Sequence, residues 1–79
     1  MTKIQRGKHI IELNNVLLEN GFILDKGTYK KTTTDNRKIK IDTRENNLKI
    51  YVNSIKILSV PLVKIQITAL KTYLQKHNF

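Results

Sequence analysis

Two segments in the middle of the chain alternate between apolar and polar residues, the pattern of β-strands with one buried face. The first covers residues 37–44, in which Ile39 and Ile41 are separated by a lysine. The second covers residues 48–52, and the preceding Asn46-Asn47 can adopt the positive φ of a hairpin turn. We therefore expect an antiparallel hairpin that buries its isoleucines and turns its lysines toward solvent.

Further strand signals flank this hairpin on both sides. Residues 22–24 begin the β region, and Gly27 suggests a turn or a bulge. Residues 28–34 are rich in Thr and Tyr, which favour strands. Asn53-Ser54 marks another turn or a bulge, and residues 55–60 follow it with a last apolar run. The region as a whole predicts three or four antiparallel strands.

Apolar residues recur at three- and four-residue spacing near both ends of the chain, which predicts two amphipathic helices. The first covers about 3–20; Thr2 to Gln5 fits a capping box at its start, and Asn20-Gly21 ends it. The second covers about 61–77, with Pro61 at its first position. The first apolar stripe is Ile4, Ile10, Ile11, Leu13, Leu17 and Leu18, and the second is Leu62, Ile65, Ala69, Leu70, Tyr73 and Leu74.

The order of these elements predicts the fold class. We expect residues 1–79 to form a single α+β domain, in the order α-β-β-β-(β)-α. Each helix has one apolar stripe and each strand has one apolar face, so both helices are expected on one face of a three- or four-stranded antiparallel sheet. The opposite face of the sheet is then exposed to solvent.

The exposed face is the candidate binding surface. If the isoleucines of the central hairpin face the helices, the intervening residues face outward, and Lys56 joins them together with one of Lys30 or Lys31. Tyr51 lies on this face, and Tyr29 is a second candidate. The predicted nucleic-acid or partner-binding residues are Lys30, Lys31, Lys38, Lys40, Arg44, Lys49, Tyr51 and Lys56.

Net charge favours an anionic partner for this surface. Fifteen Lys and Arg residues against six Asp and Glu residues give the chain a formal charge of +9. Such a field attracts polyanions, which indicates RNA, DNA or an acidic surface of a protein that handles nucleic acid. An AT-rich genome would also raise the Lys content through its codons, but it would not explain why acidic residues are so few.

The absence of cysteine excludes disulfide bonds, cysteine-ligated zinc and thiol catalysis. It is compatible with a reducing cytoplasm, which is the expected compartment. We find no secretory signal pattern and no apolar run close to the roughly 20 residues that span a membrane. We accordingly expect no membrane partner.

No group of residues indicates catalysis or a bound cofactor. The two histidines, His9 and His77, lie near opposite ends of the chain, and neither has neighbouring metal ligands. The acidic residues form no recognisable acid–base pair, and no phosphate-binding glycine loop is present. We expect a binding protein without enzymatic activity, metal or cofactor.

The segment from Leu17 to Phe22, Leu-Leu-Glu-Asn-Gly-Phe, resembles the end of the first helix in the HicA toxin family, which shares its α-β-β-β-α order with double-stranded RNA-binding domains. Gly27-Thr28-Tyr29 falls near the Gly-Ser-His of that family, and the resemblance covers roughly residues 10–42. The catalytic histidine of the family would fall at Tyr29, so the resemblance implies the topology without the ribonuclease group. The basic pattern that starts a helix in double-stranded RNA-binding domains is missing at residues 63–66.

Two other hypotheses stay open beside direct nucleic-acid binding. The chain resembles small Lys- and Ile-rich proteins of phages and mobile elements, many of which inhibit a host enzyme, anti-CRISPR proteins among them. In that case the basic surface would dock on an acidic face of a host nucleic-acid-processing protein. The third hypothesis is a homodimer formed through an exposed edge strand or through the second helix, where Val63 and Ile67 fall outside the main apolar stripe.

Overall fold

The computed structural model describes the backbone of residues 3–79 and the side chains of residues 10–79. In that part of the chain, a helix, five strands and a second helix follow one another in sequence, and the strands form one antiparallel sheet in which each pairs with the next in sequence. The elements are α1 (Lys3–Glu19), β1 (Ile23–Asp25), β2 (Thr28–Thr32), β3 (Lys38–Asp42), β4 (Asn47–Val52), β5 (Ile55–Pro61), a 3-10 turn (Leu62–Lys64) and α2 (Ile67–Lys76). The predicted α+β class is confirmed, and the sheet has five strands rather than three or four because residues 23–25 form a short strand of their own.

Residues with positive φ close the hairpins. Lys26 (φ 50°) and Gly27 (φ 84°) form a two-residue turn between β1 and β2. Asn53 (φ 50°) and Ser54 (φ 70°) form a similar turn between β4 and β5. Turns with two successive positive φ values match the twist of the flanking strands, which is why two residues suffice at both places.

A β-bulge interrupts the pairing of β4 with β5. Tyr51 pairs with Lys56 and Ile50 pairs with Leu58, so Ile57 is one residue more than the ladder requires. The extra residue shifts the alternation of β5 by one position. Lys56 can therefore face away from the helices while Leu58 faces toward them.

Both helices pack on the same face of the sheet. Tyr29, Ile41 and Ile50 are paired neighbours on β2, β3 and β4, and all three are buried. Directly paired residues of antiparallel strands point to one face, so these side chains define the covered face. The buried core comprises Leu13, Val16, Leu17, Phe22, Tyr29, Ile39, Ile41, Leu48, Ile50, Leu62, Leu70, Leu74 and Phe79, with members from both helices.

The second helix begins later than the sequence predicts. Pro61 has ψ 133° and is the last residue of β5, where it pairs with Asn47. Its missing N–H is tolerated because β5 is an edge strand. A single 3-10 turn follows, Ile65 and Gln66 are extended, and α2 starts only at Ile67. Val63 is exposed as expected, whereas Ile67 is partly buried against the core.

The first helix ends as predicted, but its buried stripe is narrower than expected. Leu13 and Leu17 are buried together with Val16, while Ile10, Ile11 and Leu18 are exposed. At about 100° per residue, Ile11 and Leu18 lie on the opposite side of α1 from the Leu13, Val16 and Leu17 stripe, so a partner packed on that stripe leaves them exposed. The predicted contributions of Thr2 and Ile4 lie outside the residues or side chains that the structure describes.

Phe79 joins the end of the chain to the loop between β2 and β3. Its ring is buried, and the Arg37 guanidinium lies 5.2 Å from the ring centroid. Arg37 also donates a hydrogen bond to the His77 carbonyl oxygen at 3.1 Å and pairs with Asp35 at 2.9 Å. Because Arg37 makes all three contacts, it stabilises the loop that precedes β3.

Candidate nucleic-acid interface

The face of the sheet opposite the helices, here the outer face, is crossed by one row of paired residues. The register places Ile23 opposite Lys30, Lys30 opposite Lys40, Lys40 opposite Tyr51, and Tyr51 opposite Lys56. This middle row contains one residue from each strand and spans about 19 Å. The structure thus brings three predicted lysines and the predicted tyrosine together.

Carboxylates neutralise the cations at one end of the outer face, near the β1–β2 and β3–β4 turns. The Lys49 Nζ lies 2.9 Å from Oε2 of Glu45, and the Arg44 Nη2 lies 2.8 Å from Oδ2 of Asp42. We call these four residues, together with the Lys30–Asp25 pair described next, the paired end.

Lys30 belongs to the middle row, but its ammonium group points to the paired end. Its Nζ lies 3.3 Å from an Asp25 carboxylate oxygen. Both side chains are about half exposed, and exposed pairs of this kind contribute only about 0–1 kcal/mol to stability. Lys30 can therefore exchange Asp25 for another anion more easily than the other two paired cations can.

The Asp42–Arg44 pair is the strongest of the three. Two guanidinium nitrogens of Arg44 donate to the Asp42 carboxylate, at 3.0 and 2.8 Å, and the Arg44 backbone N–H donates to it at 3.0 Å. These hydrogen bonds lower the pKa of Asp42 from its ordinary 3.8 to about 2, against a smaller opposing effect of burial. The same contacts raise the pKa of Arg44, and Glu45 raises that of Lys49.

At the other end of the outer face, near the β2–β3 loop and the β4–β5 turn, the lysines form no ion pair with a described carboxylate, although the charge of Lys40 helps to lower the pKa of Asp42. We call Lys38, Lys40, Tyr51 and Lys56 the unpaired end. Within residues 10–79, no carboxylate lies within 4.0 Å of these three ammonium groups. Lys38 and Lys40 are two residues apart on β3 and therefore share the outer face, roughly 6.6 Å from each other along the strand.

Tyr51 lies between two of these lysines. The Lys40 Nζ is 4.7 Å from the centroid of its ring, within the range of a cation–π contact. Lys56 pairs with Tyr51 from the other side. The half-buried tyrosine thus stands between two lysine positions on neighbouring strands, and the ammonium group of one of them, Lys40, lies over its ring.

A depression of about 640 Å³ lies in this part of the outer face. Its lining contains four lysines and one acidic residue, Asp25. The lining residues are Ile23, Leu24, Asp25, Lys30, Lys31, Thr32, Lys38, Ile39, Lys40, Tyr51 and Ser54. Ile23 is 71% exposed, so an apolar side chain stands at the β1 side of this basic hollow. The arrangement offers an anion several donors and offers a planar apolar group two surfaces to contact.

Two candidates from the sequence lie on the covered face instead. Lys31 pairs with Ile39, and its Nζ donates a 2.6 Å hydrogen bond to the Asn20 carbonyl oxygen at the end of α1. Of the two neighbouring lysines, only Lys30 belongs to the outer face. Tyr29 is also on the covered face, where burial raises its pKa and its hydroxyl donates to Asn14 at 2.7 Å.

Ile23 is the residue that the sequence analysis missed. It was assigned to the start of the β region without a face. A two-residue turn at Lys26-Gly27 fixes the register that pairs Ile23 with Lys30. Recognising that turn in the sequence would therefore have placed Ile23 on the same face as Lys30. The acidic partners of the paired end were missed as well, because hairpin register must be known before Asp25 can be placed beside Lys30.

Comparisons with known proteins give no identity to this surface: no protein-family model, no curated protein and no solved structure matches the chain. Among the described residues, no helix is long and apolar enough to span a membrane. That same part of the chain has no cluster of three or more His, Asp or Glu side chains arranged to hold a metal ion.

Proposed function

We propose that this protein binds nucleic acid through the outer face of its sheet, with the unpaired end supplying the main contacts. The observation that carries the proposal is the position of Lys38, Lys40 and Lys56 on one part of the outer face. None of them forms an ion pair with a described carboxylate, and Lys40 and Lys56 are the strand partners of Tyr51. The formal charge of +9 supports it by attracting a polyanion from a distance.

Unpaired lysines are better phosphate ligands than paired ones for a simple reason. A phosphate that contacts Lys40 or Lys56 displaces no ion-paired carboxylate of the described residues, and the contact releases counterions condensed on the nucleic acid. At Lys40 it replaces a cation–π contact with Tyr51. A phosphate that contacts Lys49 must also displace Glu45, whose charge remains nearby and repels it. The same number of lysines can therefore give different affinities at the two ends of the face.

The proposed role is binding rather than catalysis. No histidine lies in the middle row, and the ring of His77 stacks on Phe79 and lies tilted against Tyr73 at the end of α2. A lysine-rich sheet with one tyrosine offers phosphate contacts and a stacking surface, which are the requirements of a binding site.

A salt titration with two matched variants tests the proposal. Lys40→Gln/Lys56→Gln and Lys30→Gln/Lys49→Gln both lower the formal charge from +9 to +7. We expect the first variant to lower the slope of log affinity against log salt by about 1.4 to 1.8, and the second by less than half of that. Fluorescence anisotropy with labelled oligonucleotides measures both slopes.

An equal decrease of the salt slope in the two variants would show that only the total charge matters. It would overturn the assignment of the binding site to the unpaired end. The absence of salt-dependent binding to RNA and DNA would overturn nucleic-acid binding itself. In that event the surface would fit an acidic face of a nucleic-acid-processing protein, and capture from a nuclease-treated host lysate by wild type but not by Lys40→Gln/Lys56→Gln would identify that partner.

A further inference from the structure

The middle row of the outer face combines charge with two groups that a phosphate backbone does not need. Ile23 and Tyr51 stand in the same row as Lys30, Lys40 and Lys56. Ile23 is largely exposed, and Tyr51 lines the depression. A ligand made only of phosphates and sugars would leave both apolar surfaces without a partner, whereas a ligand with accessible bases would cover them.

The shape of the outer face also distinguishes between forms of nucleic acid. Reading the major groove of a duplex requires a projecting helix or two-stranded ribbon that can enter it. Here the cations surround a hollow in a five-stranded sheet, and the row crosses all five strands. A flexible unpaired strand can place a base in the hollow while its phosphates remain beside the lysines.

The spacing around Tyr51 fits this arrangement. Lys40 and Lys56 are its direct partners on the two neighbouring strands, each about 4.8 Å away across the ladder. The Lys40 ammonium group now lies over the ring at 4.7 Å, and a base that stacks there would move it toward the adjoining phosphate. One side-chain movement thus exposes the ring and places a cation on the backbone of the ligand.

We infer that the site takes an unpaired strand of nucleic acid, with one base stacked on Tyr51 and flanking phosphates on Lys40 and Lys56. This inference rests on the nucleic-acid binding proposed above. It runs against what charge alone predicts, because a duplex has the higher charge density and the steeper counterion release.

The experiment uses three probes of equal phosphate number: an oligothymidine strand, the same strand with abasic sugars, and a DNA duplex. The variants are Tyr51→Leu, which removes the ring, and Tyr51→Phe, which keeps it. We expect wild type to prefer oligothymidine over the duplex. Tyr51→Leu should lose about 5- to 150-fold in affinity for oligothymidine and nothing for the abasic strand, as expected for one stacked base.

Tyr51→Phe should bind oligothymidine like wild type, and circular dichroism of both variants monitors their folding. If Tyr51→Leu does not fold, the wild-type ratio of oligothymidine to abasic affinity decides the question by itself, and a ratio near one overturns the inference. Preference for the duplex together with an unchanged Tyr51→Leu would also overturn it. The nucleic-acid proposal would survive either result as long as the two lysine variants still differ, and would fail if no probe binds.

Discussion

Both ends of the outer face carry basic side chains, but within residues 10–79 these form ion pairs with carboxylates at one end and not at the other. At the paired end, Lys49 and Arg44 are held by Glu45 and Asp42 within 3 Å. At the unpaired end, Lys38, Lys40 and Lys56 have no such partners among the described residues. Both ends belong to one sheet and are separated by only a few residues along each strand.

The difference shows that net charge is a poor guide to where an anion binds. A count over the sequence gives every lysine equal weight. The fold, however, places three carboxylates beside cations of the paired end, whereas the nearest ion pair at the other end, Asp35–Arg37, involves none of Lys38, Lys40 and Lys56 among the described residues. The ion pairs at the paired end bring turn residues close to the strands, whereas the lysines of the unpaired end make no comparable contact. The paired end is therefore suited to holding the sheet together, and the unpaired end to binding.

The largest expected effect comes from the core that both ends share. Ile41 of β3 is fully buried on the face of the sheet that the helices cover, so Ile41→Ala should lower the free energy of unfolding by about 2–5 kcal/mol. Ile55→Ala, at a site 67% exposed, is the matched control and should cost far less. Urea denaturation measures both. If Ile41→Ala left stability unchanged, the covered face would be assigned incorrectly.

Converting the paired end into a second unpaired end should produce the next largest effect. Asp25→Asn/Glu45→Gln releases Lys30 and Lys49 and raises the formal charge from +9 to +11. We expect the salt slope on a single strand to steepen by about 1.4 and affinity near 0.1 M salt to rise roughly tenfold.

The control for that experiment is Glu12→Gln/Glu19→Gln on α1, which changes the formal charge equally but away from the sheet. It should change the slope much less. A gain of the same size in both variants would mean that the local pairing is irrelevant to binding.

Asp42 gives the paired end a pH-dependent contribution to stability. Its pKa of about 2 lies below the ordinary 3.8, so the contribution is present above pH 4 and is lost as the pH falls toward 2. Asp42→Asn should therefore cost roughly 1 kcal/mol at neutral pH, with partly exposed Arg44 limiting the effect. Thermal unfolding measured from pH 7 to pH 2 should show the melting temperatures of wild type and Asp42→Asn approaching each other as the pH falls. A difference in melting temperature that does not change with pH would contradict this assignment.

The smallest effect concerns the turn beside the unpaired end. Ser54 has φ 70°, a value that glycine adopts without strain. Ser54→Gly should stabilise the protein by about 0.5–1 kcal/mol, because Asn-Gly is the favoured pair for this turn. Ser59→Gly within β5 is the matched control and should destabilise it. Stabilisation by neither change would argue against the turn.

Much of the fold followed from the sequence because the central hairpin has a strict alternation. Ile39 and Ile41 face the helices and Lys38 and Lys40 face outward, as the pattern predicts. Residues 28–34 have no such alternation, and so the choice between Lys30 and Lys31 required the register with β3.

Other features depended on contacts that a pattern of polar and apolar residues does not contain. Pro61 is compatible with the start of a helix and with an edge strand, and its pairing with Asn47 decides for the strand. Ion pairs across a turn are equally invisible to periodicity. The prediction therefore located the basic face but not its division into two ends.

One additional residue in β5 affects how copies of this chain behave toward each other. A strand at the margin of a sheet can recruit a second molecule by continuing the ladder, and β5 is seven residues long. Without Ile57 its alternation would be regular from Ile55 to Val60, giving a straight border. The bulge bends that border and Pro61 withholds a donor from it. Deleting Ile57 would preserve every pair within the sheet, and we expect the straightened border to favour edge-to-edge association of two copies. The bulged residue, which the sheet itself does not need, thus works against such pairing.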